Sequence, residues 1–120
     1  MGGRYFSSLT FLGFMIGVVG VYAAESTAEG IAFFEKKIRP VLVEHCYKCH
    51  SASSEKVKGG LLLDTREGIR KGGESGHAVV PGNLKGSLLI SALKHDDFEM
   101  PPKGMLPAAV VADFEKWIRD

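Results

Sequence analysis

From Ile31 onward the apolar positions Ile31, Phe34, Ile38 and Leu42 recur at three- and four-residue steps, the period of one buried stripe on a helix. Ser26 or Thr27 stands where a cap belongs, so the spacing predicts a first helix over about residues 28–39. Pro40 lacks an N–H and disfavours a helical residue before it, so the helix should kink or restart there, with Val41–Cys46 as a second short turn. A matching stripe ends the chain: Val110, Val111, Phe114, Trp117 and Ile118 share one side of a final helix with Pro107 in its first turn.

Between these stripes the pattern is broken. "SASSEKVKGG" after His50 is polar and glycine-ended, a loop, and "LLLD" is a short strand fragment or buried extended segment. Asp64 or Thr65 caps a short helix through Arg70, which Gly72 and Gly73 end. "GGESGHAVVPGNLKG" is turn-rich, Ser87 caps "LLISALK", and "HDDFEMPPKGMLP" is a second irregular loop. The expected fold is therefore all-α, with packed N- and C-terminal helices and a loop-rich middle. Ile31, Phe34 and Ile38 should face Phe114, Trp117 and Ile118.

The first residues follow a different pattern. A short stretch carrying Arg4, an apolar run from Phe11 to Tyr22 and a small-residue end have the layout of an export signal. Cleavage after Ala23 fits slightly better than after Ala24, giving a signal peptide over 1–23 and one domain over 24–120. A retained membrane anchor is the alternative, against which stands a run shorter than the ~20 residues a spanning helix needs.

Charge narrows the partners. The chain has 15 Lys plus Arg against 14 Asp plus Glu, and loss of residues 1–23 removes only Arg4, leaving the two signs equal. There is no basic excess of the kind that neutralises phosphates, which argues against nucleic acid as a ligand. The remaining domain is small enough that a disulfide, metal or bound cofactor would help it hold a core.

The two cysteines of the chain both lie in "EHCYKCHSAS", at Cys46 and Cys49, with His50 next. A redox disulfide at this spacing expects alternating strands and helices, and no convincing strand precedes Cys46. Zinc needs four ligands, and beyond Cys46, Cys49 and His50 there are only the unpaired His45, His77 and His95. C-x-x-C-H is also the pattern of c-type haem attachment: two thioethers from Cys46 and Cys49 and an iron ligand from His50. That reading uses every residue of the motif. It also suits an exported chain with no third thiol to divert either cysteine into a wrong disulfide.

An iron held by His50 leaves the opposite position, where a thioether sulfur stabilises ferrous iron and raises the potential. Met100, braced by Pro101 and Pro102, is the first candidate; Met105, His95 or an open position are the others. Otherwise Met100 would be a core methionine, and His77 and His95 solvent-exposed loop histidines.

With these residues assembled, the chain resembles a small c-type cytochrome, and most closely the planctomycete-type cytochrome c domain. The resemblance runs from about Phe33 to Ile118. It is carried by "FFEKKIRPVLVEHCYKCHS", "KGGLLLDTREGIRKGGESG", "VVPGNLKGSLLISALKH", "MPPKG" and "FEKWI". It implies a cytochrome c-like fold and one covalently attached haem c with its iron. Cys46, Cys49 and His50 match the attachment motif and Met100 the distal position. It also implies that the Pro81 carbonyl accepts a hydrogen bond from the His50 Nδ1–H and orients the ring. The expected function is single-electron transfer, without enzymatic activity, between exported redox proteins in the periplasm or an equivalent space. A haem-based sensor or gas-binding module, and a haem-stabilised interaction domain of a larger complex, are the rival readings.

Overall fold

The computed structural model describes residues 26–120 together with residues 1–3, 13, 15 and 17. The export leader expected over residues 1–23 lies, apart from those isolated positions, outside the described residues. Among the described residues the regular elements are all helical, with two isolated β-bridges and no strand. The all-α expectation holds at that level.

The first helix is longer than the apolar spacing indicates and differently wound. It comprises α1 (Ala28–Phe33), a π turn (Phe34–Ile38) and α2 (Arg39–His45). Thr27 caps it, its Oγ1 accepting from the Gly30 N–H at 3.0 Å. Pro40 does not end the helix. In a regular helix its ring would press on the carbonyl four residues back; here the ladder widens first, the Arg39 N–H reaching the Phe34 carbonyl. The inserted residue turns the stripe by about a quarter of a revolution. Ile38 and Leu42 are consequently buried, Phe33 and Phe34 pack at the core's edge, and Ile31 is left 52% exposed instead of facing the last helix.

Two short helices follow, α3 (Arg66–Lys71) and α4 (Leu88–Leu93), and then α5 (Ala108–Arg119). Thr65 caps α3, accepting from the Gly68 N–H at 3.0 Å, and Pro107 stands just ahead of α5. Ser87 precedes α4 without capping it through its hydroxyl, which instead accepts from the Val80 N–H at 2.9 Å and donates to the Asn83 carbonyl at 2.7 Å. That clamps the Val80–Asn83 turn, where Pro81 supplies the fixed φ and Gly82 the positive one (φ 77°).

The core lies where the π turn and α4 meet α5. Ile38, Leu42, Leu63, Leu93, Phe114 and Ile118 are each almost fully enclosed. Phe34 meets Trp117 at 5.4 Å between ring centroids, and Trp117 stands edge-on to Phe114 at 6.2 Å. A Lys94–Glu115 ion pair at 2.9 Å ties the end of α4 to α5. First and last helices are thus in contact, and the cysteine motif leaves directly from α2 at their edge. Among the described residues no helix is long and apolar enough to cross a membrane.

Candidate haem-attachment site

Cys46 follows α2 directly, and the motif continues that helix as a turn. The Cys46 and Tyr47 N–H groups both donate to the Leu42 carbonyl at 2.9 Å, and the Cys49 and His50 N–H groups both donate to the Cys46 carbonyl, at 3.2 and 2.9 Å. Both cysteines are half-buried free thiols. Burial pushes the Cys46 thiol up from 9.0 to about 11, so it stays protonated at neutral pH.

The residues after the motif hold this turn in place. Buried Ser51 donates from Oγ to the Tyr47 carbonyl at 2.6 Å, and Ser54 Oγ reaches the same carbonyl at 3.0 Å while accepting from the Ser51 N–H. The chain then returns alongside: Lys58 N–H donates to the Cys49 carbonyl at 3.0 Å and Leu63 N–H to the His50 carbonyl at 2.8 Å. Gly59 and Gly60 allow the return, both at φ near 60°. Asp64 completes it, its Oδ2 accepting from the Ala52 N–H at 3.0 Å. None of these bracing roles follows from the sequence pattern alone. The serines of "HSASS", as hydroxyls that bond nearby backbone, carry the one local signal; Asp64 has none, because its partner lies twelve residues away.

His50 is half-buried, and its Nδ1 is enclosed with no hydrogen-bond partner. The bond from its Nδ1–H to the Pro81 carbonyl, expected for an iron-bound ring, is not formed in this structure. The Pro81 turn is held by other partners. Ser87 clamps it from one side, the Gly82 N–H donates to the Ile118 carbonyl at 2.7 Å at the end of α5, and Pro81 itself is exposed.

Met100 lies in the second loop, half-buried, its N–H on the Ala92 carbonyl at 3.1 Å; the His95 N–H takes the same carbonyl at 3.1 Å. One carbonyl of α4 thus gathers both ends of the 95–100 loop. His95 departs from the exposed-loop expectation: it is half-buried, its Nε2 is enclosed without a partner, and its backbone is left-handed at φ 57°. His77 is exposed, with Nδ1 2.9 Å from the Arg70 carbonyl. Met105 is 60% exposed and lines an open pocket of about 350 Å³ with His45, Pro101 and Leu106. Among the described residues no three His, Cys, Asp or Glu side chains gather into a metal-ligand cluster.

The donor set fits a covalently held haem. Two free thiols and an imidazole with an unengaged nitrogen leave one braced turn. A thioether and a second imidazole stand on a loop tied to α4. Comparison with curated proteins and with solved structures finds no match. Residues 46–104 match the family model described as Planctomycete cytochrome C, a span that begins at the first cysteine of the motif and takes in Met100. It is narrower than the resemblance read from Phe33 to Ile118, leaving out the long helices at either end. With the attachment motif at its head, the chain carries a planctomycete-type cytochrome c domain.

Proposed function

We propose that this protein is an exported c-type cytochrome with one covalently attached haem c, carrying single electrons between exported redox proteins, and that it is a carrier and not an enzyme. The observation that supports this best is the braced Cys46–His50 turn, where both thiols are free and the imidazole keeps an enclosed nitrogen unpaired. The family match, which begins at Cys46, supports it independently.

In this reading Cys46 and Cys49 would hold the haem covalently, each thiol being added across a vinyl group with the sulfur on one carbon and the proton on the other. His50 and Met100 would be the residues that ligate its iron, in a cytochrome c-like packing of α1, α2 and α5. The bound haem supplies a one-electron iron couple. The protein's own part is to fix both axial ligands, keep water from the iron and set the potential through them. The leader over residues 1–23 would deliver the chain to the periplasm or an equivalent space, with membrane attachment only if that segment is retained.

The test is a pyridine-haemochrome spectrum on protein made with a c-type maturation system and then extracted with acid acetone. Haem that stays with the chain, with the absorption of saturated vinyl positions, is the expected result. Haem that leaves with the acetone overturns the attachment.

A further inference from the structure

We propose that Asp64 receives the Nδ1–H of His50 once haem is attached, making a carboxylate–imidazole pair behind the iron that lowers the reduction potential. This rests on the reading of His50 as an iron ligand.

Three enclosed side-chain atoms lack hydrogen-bond partners among the described residues: His50 Nδ1, Asp64 Oδ1 and His95 Nε2. An unpaired enclosed donor or acceptor costs about 1–3 kcal/mol, so such atoms point to partners still to be made. His95 stands apart, on the loop tied to α4. The other two are complementary, a ring nitrogen that donates when the opposite nitrogen is coordinated and a carboxylate oxygen that only accepts. They sit on adjoining segments, because the Leu63 N–H bonds the His50 carbonyl and Asp64 Oδ2 bonds the Ala52 N–H. The second of these bonds also holds the carboxylate in place, leaving Oδ1 as its free oxygen.

Four of the motif's five carbonyls, all but that of Lys48, are already engaged. That of Cys46 accepts from Cys49 and His50, that of Tyr47 from Ser51 and Ser54, that of Cys49 from Lys58 and that of His50 from Leu63. The Pro81 carbonyl, which the resemblance offered, belongs to a turn moored to Ser87 and α5. Asp64 Oδ1 is the enclosed, charged acceptor beside the motif that has no partner. The pair is not bonded in this structure, so closing it requires the imidazole or the carboxylate to reorient; the terminal torsions of both side chains are soft. Coordination through Nε2 fixes that ring and places the proton on Nδ1. An acceptor with full negative charge makes the imidazole a stronger donor to iron and favours the ferric state.

The experiment compares the haem-bearing parent with Asp64→Asn and Glu67→Gln. Asn keeps an oxygen for the Ala52 N–H and removes the charge; Glu67, an exposed carboxylate three residues on, controls for charge acting through space. Two readouts are taken: the reduction midpoint and the His50 Nδ1–H resonance of the ferrous protein labelled at its histidine nitrogens. The expected result is a far-downfield Nδ1–H in the parent, which moves upfield in Asp64→Asn with a rise in midpoint larger than in Glu67→Gln. A parent Nδ1–H at the shift of a neutral acceptor, or a midpoint that Asp64→Asn moves no more than Glu67→Gln does, overturns the proposal. The parent resonance is decisive even if Asp64→Asn fails to fold. If the parent holds no covalent haem, or its iron is not bound by His50, it is the underlying reading that has failed, and the haemochrome and the ring resonances show that separately.

Discussion

The two loops that bring candidate iron ligands are built in opposite ways. Around Cys46–Asp64, backbone N–H groups from Cys46 to Leu63 find acceptors in the helix end, in serine hydroxyls, in the returning segment or in a carboxylate. The stretch around Met100 hangs from α4 through the Ala92 and Ser91 carbonyls and turns again where the Gly104 N–H bonds the Pro101 carbonyl. Its middle is exposed, Phe98 included. On the proposed function, the difference suits the chemistry each loop would support. Two sulfurs and an imidazole that are to hold one rigid haem would need their spacing set in advance. A single further ligand would need only to arrive, and a sparsely bonded loop would open at low cost to admit a cofactor.

The largest effect comes from breaking the first region at its chemistry. Replacing Cys46 and Cys49 together with Ala should abolish covalent attachment: haem stays with the parent in acid acetone and leaves the double variant completely. Breaking the second region should do less. Met100→Ala should keep the haem covalently bound, abolish the weak far-red band of sulfur-ligated ferric haem, and lower the midpoint potential, since thioether ligation favours ferrous iron. Met105→Ala should change neither. His95, whose enclosed Nε2 has no partner, is the competitor. If His95→Ala destroys the parent spectrum and Met100→Ala preserves it, His95 is the ligand.

How legible this was in the sequence differs between the same two regions. The helix caps at Thr27 and Thr65, the stop at Gly72 and the start of α5 after Pro107 depend on a few neighbouring residues, and the structure has them where local chemistry placed them. The π turn was not legible. Pro40 announced a disturbance, but whether the helix breaks or widens depends on what Phe34 and Ile38 pack against, and the error carried Ile31 to the wrong face. The motif itself needed only its five residues. Its bracing did not read out, because Ser51, Ser54 and Asp64 act through chain segments that only the fold brings together. The clamp on the Pro81 turn did not read out for the same reason: Ser87, whose hydroxyl looked committed to capping α4, holds that turn instead.

The structure also assigns Cys46 a measurable chemistry before attachment. Burial raises its thiol from 9.0 to about 11, so the folded state favours the protonated form. The stabilisation is complete below about pH 9 and is lost as the pH rises through about 11. At pH 8 the haem-free folded chain should hold about 100-fold less Cys46 thiolate than the unfolded chain, and iodoacetamide should label Cys46 about that much more slowly than in strong denaturant. Equal labelling rates with and without denaturant would show that the turn does not enclose the sulfur.

The smallest effect sharpens the contrast without touching the chemistry. Ser51 is buried, and its 2.6 Å bond to the Tyr47 carbonyl is one of two that this carbonyl receives. Ser51→Ala removes that bond and the hydroxyl's contacts with Ser53 Oγ and Ser54 Oγ but leaves the carbonyl satisfied by Ser54, so the cost should be about 1 kcal/mol. Glu99, exposed beside Met100, should cost less than about 0.5 kcal/mol when changed to Ala. Chemical denaturation of the haem-bearing protein followed at the Soret band measures both. Should Glu99→Ala prove the costlier change, the loop around Met100 is held by more than the structure shows, and the division into a braced motif and a lightly tethered ligand loop does not stand.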